Sequence, residues 1–261
     1  MALSFTLLGS GSSGNSTLVS DGDKHVLVDI GLSGRETARR LRERRLEPER
    51  ISAVVVSHEH GDHCRGVAAF ANDLDIPVFI TDGALHVSGM RLKSGKRQRI
   101  ESGVPFDVFG MLFVPFALPH DSVDPVGFTI EKDGVKVAIV LDLGYISNLV
   151  VERLRGCDGM VLESNHDINM LKVGPYPWSL KQRVLSRRGH LSNESVATYL
   201  AARFDGKARH VVLAHLSQSN NLPELASLSA QKALEGRSTL LSCQTRLELA
   251  SAKQISATYC Y

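Results

Sequence analysis

Residues 51–63 read Ile51-Ser52-Ala53-Val54-Val55-Val56-Ser57-His58-Glu59-His60-Gly61-Asp62-His63. The first seven form a continuous, largely β-branched run, the mark of a buried strand. Three histidines and an aspartate then fall within six residues, directly after that strand. His58 and His60 are two apart, so in an extended segment they face the same way. Gly61 lets the chain turn before Asp62 and His63. One short loop can therefore offer two ligands to one metal ion and two to a second. A solvated polar loop is the plain alternative for any single histidine, but not for this combination at a strand end.

Three more candidate ligands sit at the same kind of place. His120 follows a predicted strand ending at Leu118, Asp142 one ending at Leu141, and His215 one ending at Ala214. Each alone is unremarkable. With the first cluster they complete two metal shells, with Asp142 able to bridge. Six imidazole and carboxylate positions plus a bridge suit Zn²⁺ or Mn²⁺, and Fe²⁺ as well.

The rest of the sequence supplies the frame. Strands are predicted at Leu3–Leu8, Ser16–Ser20, His25–Asp29, Pro77–Thr81, Met111–Leu118, Val126–Lys132, Val135–Leu141, Asp158–Glu163 and Arg209–Ala214. Helices are predicted at Gly34–Leu46, Val67–Leu74, Ser179–Ser186, Asn193–Phe204 and Leu222–Glu235. Each half is mostly β followed by α, which predicts an α/β fold of αββα four-layer sandwich type, a single domain over residues 1–261. Of the 261 residues 43% are hydrophobic and 22% charged, enough for a sizeable core. No apolar run approaches the ~20 residues of a membrane span. The first residues, MALSFTLLGSGS, lack a basic, long apolar leader pattern. Cys64, Cys157, Cys243 and Cys260 form no C-x-x-C pair, which fits a reduced, cytoplasmic compartment. Net charge is only +2, so any nucleic-acid affinity must come from local patches.

Gly9–Gly14 (GSGSSG) satisfies the G-x-G-x-x-G dinucleotide pattern, with Asp29 beyond it. That chemistry needs a helix after the glycine turn. Here Asn15-Ser16-Thr17-Leu18-Val19 is strand chemistry, and no crossover helix fits before Asp29. The loop instead reads as the border of the metal site, where Ser12, Ser13 and Asn15 offer hydroxyls and amides to a phosphate.

The whole constellation resembles the metallo-β-lactamase-fold hydrolases. His58, His60, Asp62 and His63 match that family's H-x-H-x-D-H motif. His120, Asp142 and His215 match its later metal motifs in order, and Asp29 matches the aspartate that supports the histidine loop. The resemblance implies that His58, His60 and His120 hold one ion, that Asp62, His63 and His215 hold the other, and that Asp142 bridges. It also implies that Asp62 orients a water or takes its proton.

Two further stretches narrow the substrate. Gly189-His190-Leu191-Ser192-Asn193 precedes a predicted helix whose start is a natural phosphate cradle through Ser192. His190 there can protonate a leaving alkoxide. This segment resembles the short His-Ser/Thr motif of ribonuclease Z-type phosphodiesterases. With Ser164-Asn165-His166-Asp167 and Gly174-Pro175-Tyr176-Pro177, the chain looks like the YycJ/WalJ branch, whose members are described as DNA exonucleases. That resemblance implies a two-metal phosphodiesterase acting on DNA rather than RNA, in the 5′-to-3′ direction, with a role in DNA repair. Lys181 and Arg183, with Lys172, Arg187 and Arg188, would form a basic rim beside the metals. Tyr176 and Trp178 either stack on bases or pack, and packing is the favoured reading of Trp178. Arg91–Arg99 reads as a solvated basic loop as readily as a substrate contact. Arg39–Arg45 reads as a charged helix face. The competing functions are a small-molecule hydrolase of the same fold (a cyclic phosphodiesterase or lactonase) and a binding module that keeps metals for structure. The open, cysteine-free ligand set argues against the last.

Overall fold

The alternating β-branched runs become strands in the order expected, and short polar segments between them supply turns and caps. The computed structural model describes residues 3–236 and 245–261; Cys243 lies outside them. In chain order the elements are β1 (Ser4–Gly9), β2 (Ser16–Ser20), β3 (His25–Val28), α1 (Gly34–Glu43), β4 (Ile51–Val55), α2 (Gly61–Cys64), α3 (Val67–Leu74), β5 (Val78–Ile80), α4 (Asp82–Ser88), β6 (Arg97–Arg99), β7 (Phe106–Val108), β8 (Met111–Ala117), β9 (Val126–Lys132) and β10 (Val135–Val140). There follow α5 (Asn148–Leu154), β11 (Gly159–Glu163), α6 (Ile168–Val173), α7 (Trp178–Val184), α8 (Asn193–Ala202), β12 (His210–Ala214), α9 (Pro223–Glu235), β13 (Arg246–Leu249) and β14 (Tyr259–Cys260). Two compact units result. The first comprises residues up to Ala117, Ser122–Val135 and Ser251–Tyr261; the second Leu118–Asp121 and Lys136–Ala250.

Unit one contains a seven-stranded sheet in the order β14-β1-β2-β3-β4-β5-β6. β1, β2 and β3 are antiparallel neighbours, while β3, β4, β5 and β6 run parallel. β7, β8 and β9 form an antiparallel meander. Leu27, Val54, Val78 and Ile80 from the sheet pack with Leu41 of α1 and Phe70 of α3 into one apolar core. Each such side chain, fully buried, contributes roughly 1.5–3 kcal/mol of transfer free energy. Unit two carries the parallel ladder β10-β11-β12-β13. Its register sets Val140 beside Leu162 and Leu162 beside Leu213. The residues that follow these three positions therefore gather at one end of the ladder. No helix among the described residues is long and apolar enough to cross a membrane.

Several elements depart from the sequence reading. α4 and α5 were not anticipated, although Thr81 and Ser147 cap them as a helix start requires. β6 is wholly exposed and polar, with no periodicity to betray it. Its basic neighbourhood is answered locally. Lys93 and Lys96 pair with Asp75, Arg97 and Arg99 with Asp82, and Arg99 also with Glu101. The 91–99 stretch is thus a charged, solvated sheet edge, a common guard against edge-to-edge pairing.

The reading of Arg39–Arg45 as one charged face needs correction at Arg40. Its side chain is buried. Nη1 donates to the Leu8 carbonyl at 2.6 Å, Nη2 to that of Ala252 at 3.0 Å, and Nε to Glu36 at 2.6 Å. One guanidinium thereby ties α1 to β1 and to the segment before β14. Arg40→Leu is expected to lower unfolding free energy by about 3 kcal/mol, because the buried Leu8 carbonyl and the part-buried Ala252 carbonyl lose their donor and Glu36 loses one of its two arginines. Urea denaturation measures this, with Arg42→Ala, whose exposed pairing to Glu47 is worth little, as the control expected to leave the midpoint nearly unchanged.

The same cluster sets an acid limit. Hydrogen bonds from Arg39, and from Arg40, hold the Glu36 carboxyl at about 2, below its ordinary 4.5, although burial works the other way. A folded pKa below the unfolded one makes Glu36 stabilising above about pH 4.5, and that contribution fades as pH falls toward 2. Glu36→Gln should flatten the acid limb of the stability profile in this window, read from urea midpoints at stepped pH.

Candidate metal centre

In unit one the histidine loop is built from the end of β4 and the first turn of α2. The rings of His58 and His60 lie 4.8 Å apart and those of His58 and His63 4.2 Å apart, centroid to centroid. Asp62 Oδ2 lies 3.8 Å from His63 Nε2. Asp29, just past β3, organises the group from beneath. It is buried and adopts φ 62°, a left-handed conformation that aspartate tolerates better than most residues. Its Oδ1 accepts from the Ser57 amide at 2.8 Å. Its Oδ2 accepts from Ser57 Oγ at 2.7 Å and from His63 Nδ1 at 2.7 Å. Ser57 Oγ in turn accepts from His58 Nδ1 at 2.9 Å. Two imidazoles are thus held by Nδ1, which leaves Nε2 as the lone-pair nitrogen. The intervening Glu59 turns away and accepts from Ser122 Oγ and the Val123 amide.

The glycine loop serves this cluster. Asn15 donates its backbone amide to the Asp62 carbonyl at 2.7 Å, and its Nδ2 lies 3.0 Å from His63 Nε2. Asn15 Oδ1 accepts from Ser10 Oγ and the Gly11 amide, so the side chain is buried and fully engaged. Gly31 lies so near this loop that a Cβ there would sit 1.6 Å from the Asp62 carbonyl oxygen. Ser12 and Ser13 are exposed at the tip.

In unit two, His120, Asp142, His190 and His215 come together around Glu163. Asp142 and His215 follow β10 and β12 and, like Asp29, adopt left-handed conformations, φ 60° and 56°. Glu163 ends β11 and is fully buried. Its Oε1 accepts from His190 Nδ1 at 2.7 Å and His215 Nδ1 at 2.9 Å. Its Oε2 accepts from the amides of Leu143 and Leu191 at 3.0 and 3.1 Å. Asp142 Oδ1 lies 2.8 Å from His215 Nδ1 and 3.1 Å from His190 Nδ1. The single Nδ1–H of each ring goes to Glu163 Oε1, while Asp142 Oδ1 lies close without taking that hydrogen, so Glu163 orients the rings rather than competing for an ion. His120 donates Nδ1–H to the Gly189 carbonyl at 3.0 Å, which again leaves Nε2 as the lone-pair nitrogen.

The charges of this cluster are strongly skewed. Burial alone would keep Glu163 protonated, but His190 and the two histidine hydrogen bonds hold it ionised. Burial opposes a charged His190, yet Glu163 and Asp142 outweigh it and lift that ring to about 9. His166 is buried and pushed down to about 4, chiefly by desolvation, so it stays neutral. The Cys64 thiol, raised by burial to about 11, donates to the Glu59 carbonyl and is no thiolate ligand. Imidazoles with Nδ1 anchored, accompanied by Asp62 and Asp142 and free of thiolates, fit first-row divalent ions.

The remaining sequence-derived candidates lie in unit two. Ser192 is buried as the N-cap of α8, where Oγ accepts from the Ser195 amide at 3.1 Å. Arg183 is exposed and paired with Asp121, the neighbour of His120. Lys181 reaches the Lys172 carbonyl at 2.7 Å. Trp178, favoured as a packing residue, is 68% exposed instead. Ser57 escaped the sequence reading, in which Glu163 stands only as the last residue of a predicted strand. A carboxylate at the end of an apolar strand was the available signal for Glu163.

Glu163→Gln tests the anchor. The amide has one acceptor oxygen for four donors, so the imidazoles lose their fixed orientation. Metal affinity is expected to fall ~10–100-fold, measured by metal content after dialysis against graded chelator.

The comparisons agree with this chemistry. Residues 9–149 match the model of the metallo-β-lactamase superfamily. The chain is 36% identical over 238 residues to exodeoxyribonuclease YycJ of Bacillus anthracis, covering 90% of each chain. It is 34% identical over 231 residues to exodeoxyribonuclease WalJ of Streptococcus pneumoniae, covering 86% of each. The crystal structure of the metallo-β-lactamase fold protein YhfI from Bacillus subtilis superposes with a TM-score of 0.73 at 16% identity, over the full length of both. The αββα sandwich expected from the sequence is therefore the fold, and the chain is a metal-dependent hydrolase. The chain belongs to the metallo-β-lactamase superfamily.

Proposed function

We propose that this protein is a two-metal DNA exonuclease. One observation carries the reading: likeness to two exodeoxyribonucleases, at 36% and 34% identity, runs over 90% and 86% of the chain. His58, His60 and His120 would hold one ion, Asp62, His63 and His215 the second, and Asp142 would bridge them. Zn²⁺ or Mn²⁺ suits this nitrogen and oxygen set. Such ions lower the pKa of a water and stabilise charge on a phosphoryl centre. Asp62 orients the attacking water and takes its proton. His190, clamped by Glu163 through Nδ1, delivers a proton to the leaving 3′- or 5′-oxygen. Ser12, Ser13 and Ser192, with Lys181 and Arg183, contact phosphates along the strand, and Asn15 holds the glycine loop that presents the two serines.

The reading extends to DNA in preference to RNA, to digestion from the 5′ end, and to a role in DNA repair. The free thiols of Cys64, Cys157 and Cys260 support a cytoplasmic site of action.

Digestion of end-labelled DNA and RNA by metal-stripped protein, with Mn²⁺ or Zn²⁺ restored, tests the proposal. Stepwise shortening of DNA is expected, and the labelled end reports direction. Asp62→Ala should reduce the rate at least about a hundredfold. Activity should also fall steeply with salt, as binding through several phosphates requires. No cleavage of either polymer by folded, metal-loaded protein, with hydrolysis of a cyclic nucleotide or a lactone instead, would overturn it.

A further inference from the structure

The segment from Lys172 to Arg188 has five cations, Lys172, Lys181, Arg183, Arg187 and Arg188, and no acid. In its midst Trp178 opens α7 with 68% of its surface exposed, and Val173 ahead of it is 86% exposed. A bare indole is an expensive surface group unless something covers it. The chain before it is stiff: Pro175 and Pro177 flank Tyr176 and fix the backbone that leads into the helix. Trp178 is thus carried on a stiffened backbone, which lowers the entropic cost of ordering this segment around a ligand.

The surroundings specify the ligand. Lys181 lies one turn along α7 from Trp178, and its Nζ reaches the Lys172 carbonyl at the end of α6, beside Val173. Five residues beyond Trp178, Arg183 pairs with Asp121, and Arg188 Nε donates to the His120 carbonyl at 3.0 Å. A track of cations therefore leads from the indole to a metal-ligand residue. Five residues of helix rise ~7.5 Å, about two base steps at ~3.4 Å each.

We propose that Trp178 is a base-stacking platform for single-stranded DNA, engaging a base beyond the scissile position while the adjoining cations take its phosphates. This rests on the exonuclease reading and adds a subsite to it. Stacking of one base on an aromatic ring is sequence-tolerant, which suits an enzyme that must pass along any strand.

The chain has a single tryptophan, so its fluorescence reports this site directly. Metal-loaded wild-type protein is titrated with a phosphorothioate octadeoxynucleotide that resists cleavage. Quenching by at least half at saturation is expected, and dinucleotides, too short to span both sites, should quench far less. Trp178→Ala, with unchanged metal content and melting temperature, should raise KM for single-stranded DNA about tenfold. Trp178→Phe should restore KM to within about threefold. A purely structural tryptophan would show neither the quench nor the aromatic rescue. Absence of quenching together with an unchanged KM in Trp178→Ala overturns the platform. So does concentration-dependent self-association in sedimentation that Trp178→Ala abolishes while KM stays put, because the indole then serves a second copy of the chain. Failure of wild-type protein to digest any nucleic acid would instead strike the exonuclease reading, and the quench titration would still judge stacking by itself.

Discussion

A buried carboxylate that holds imidazoles by Nδ1 is the constraint on which the site depends, and it occurs once in each unit. Asp29 anchors His63 directly and His58 through Ser57. Glu163 anchors His190 and His215 and also takes two backbone amides. Burying a charge costs several kcal/mol unless hydrogen bonds replace the lost water. Here donors surround each carboxylate, so the cost is offset and every ring attached is left with one orientation and one tautomer. Preorganisation of this kind lets the ligand atoms stand in place before any ion arrives.

The two units reach this arrangement by the same local device. Asp29-Ile30-Gly31 follows β3, and Asp142-Leu143-Gly144 follows β10. Each aspartate is left-handed, which swings the chain abruptly off the strand end. Each glycine then lies against a loop that carries a functional residue. A Cβ on Gly31 would strike the Asp62 carbonyl, and one on Gly144 would come within 2.4 Å of the Arg187 carbonyl carbon. The small residue is needed for contact rather than for flexibility, because the loop backbone occupies the space a side chain would take. The same logic explains GSGSSGN. Its glycines let the chain close on the histidine loop, and Asn15 locks it there, so the string resembles a nucleotide motif without sharing its helix.

Polarity in unit two is distributed in the way a phosphate-binding surface needs. The carboxylates Asp142 and Glu163 are inside, engaged by histidines, while the cations of 172–188 are outside. The basic stretch 91–99 in unit one shows the contrast. It is denser in positive charge, five cations in nine residues against five in seventeen, but Asp75, Asp82 and Glu101 answer it and it guards an edge strand, whereas in 172–188 Arg183 is paired with Asp121.

The sequence by itself determined which residue types stand at the strand ends. His58, His60, Asp62 and His63 were legible because they are contiguous. His120, Asp142 and His215 were legible because each ends an apolar run, and an apolar run is readable one strand at a time. Only the tertiary structure decided what holds them. Glu163 meets His190 and His215 across 27 and 52 residues of chain; the parallel register of β11 and β12 makes the second meeting, and the segment before α8, tied by the Leu191 amide to Glu163, makes the first. Registers arise from the packing of whole strands, so no local pattern announces them. Arg40 was lost in a run of charges for the same reason: its partners, Leu8 and Ala252, lie far along the chain. Exposure of Trp178 was likewise undecidable from composition, because an indole beside two prolines packs or projects according to what the neighbouring helices leave open.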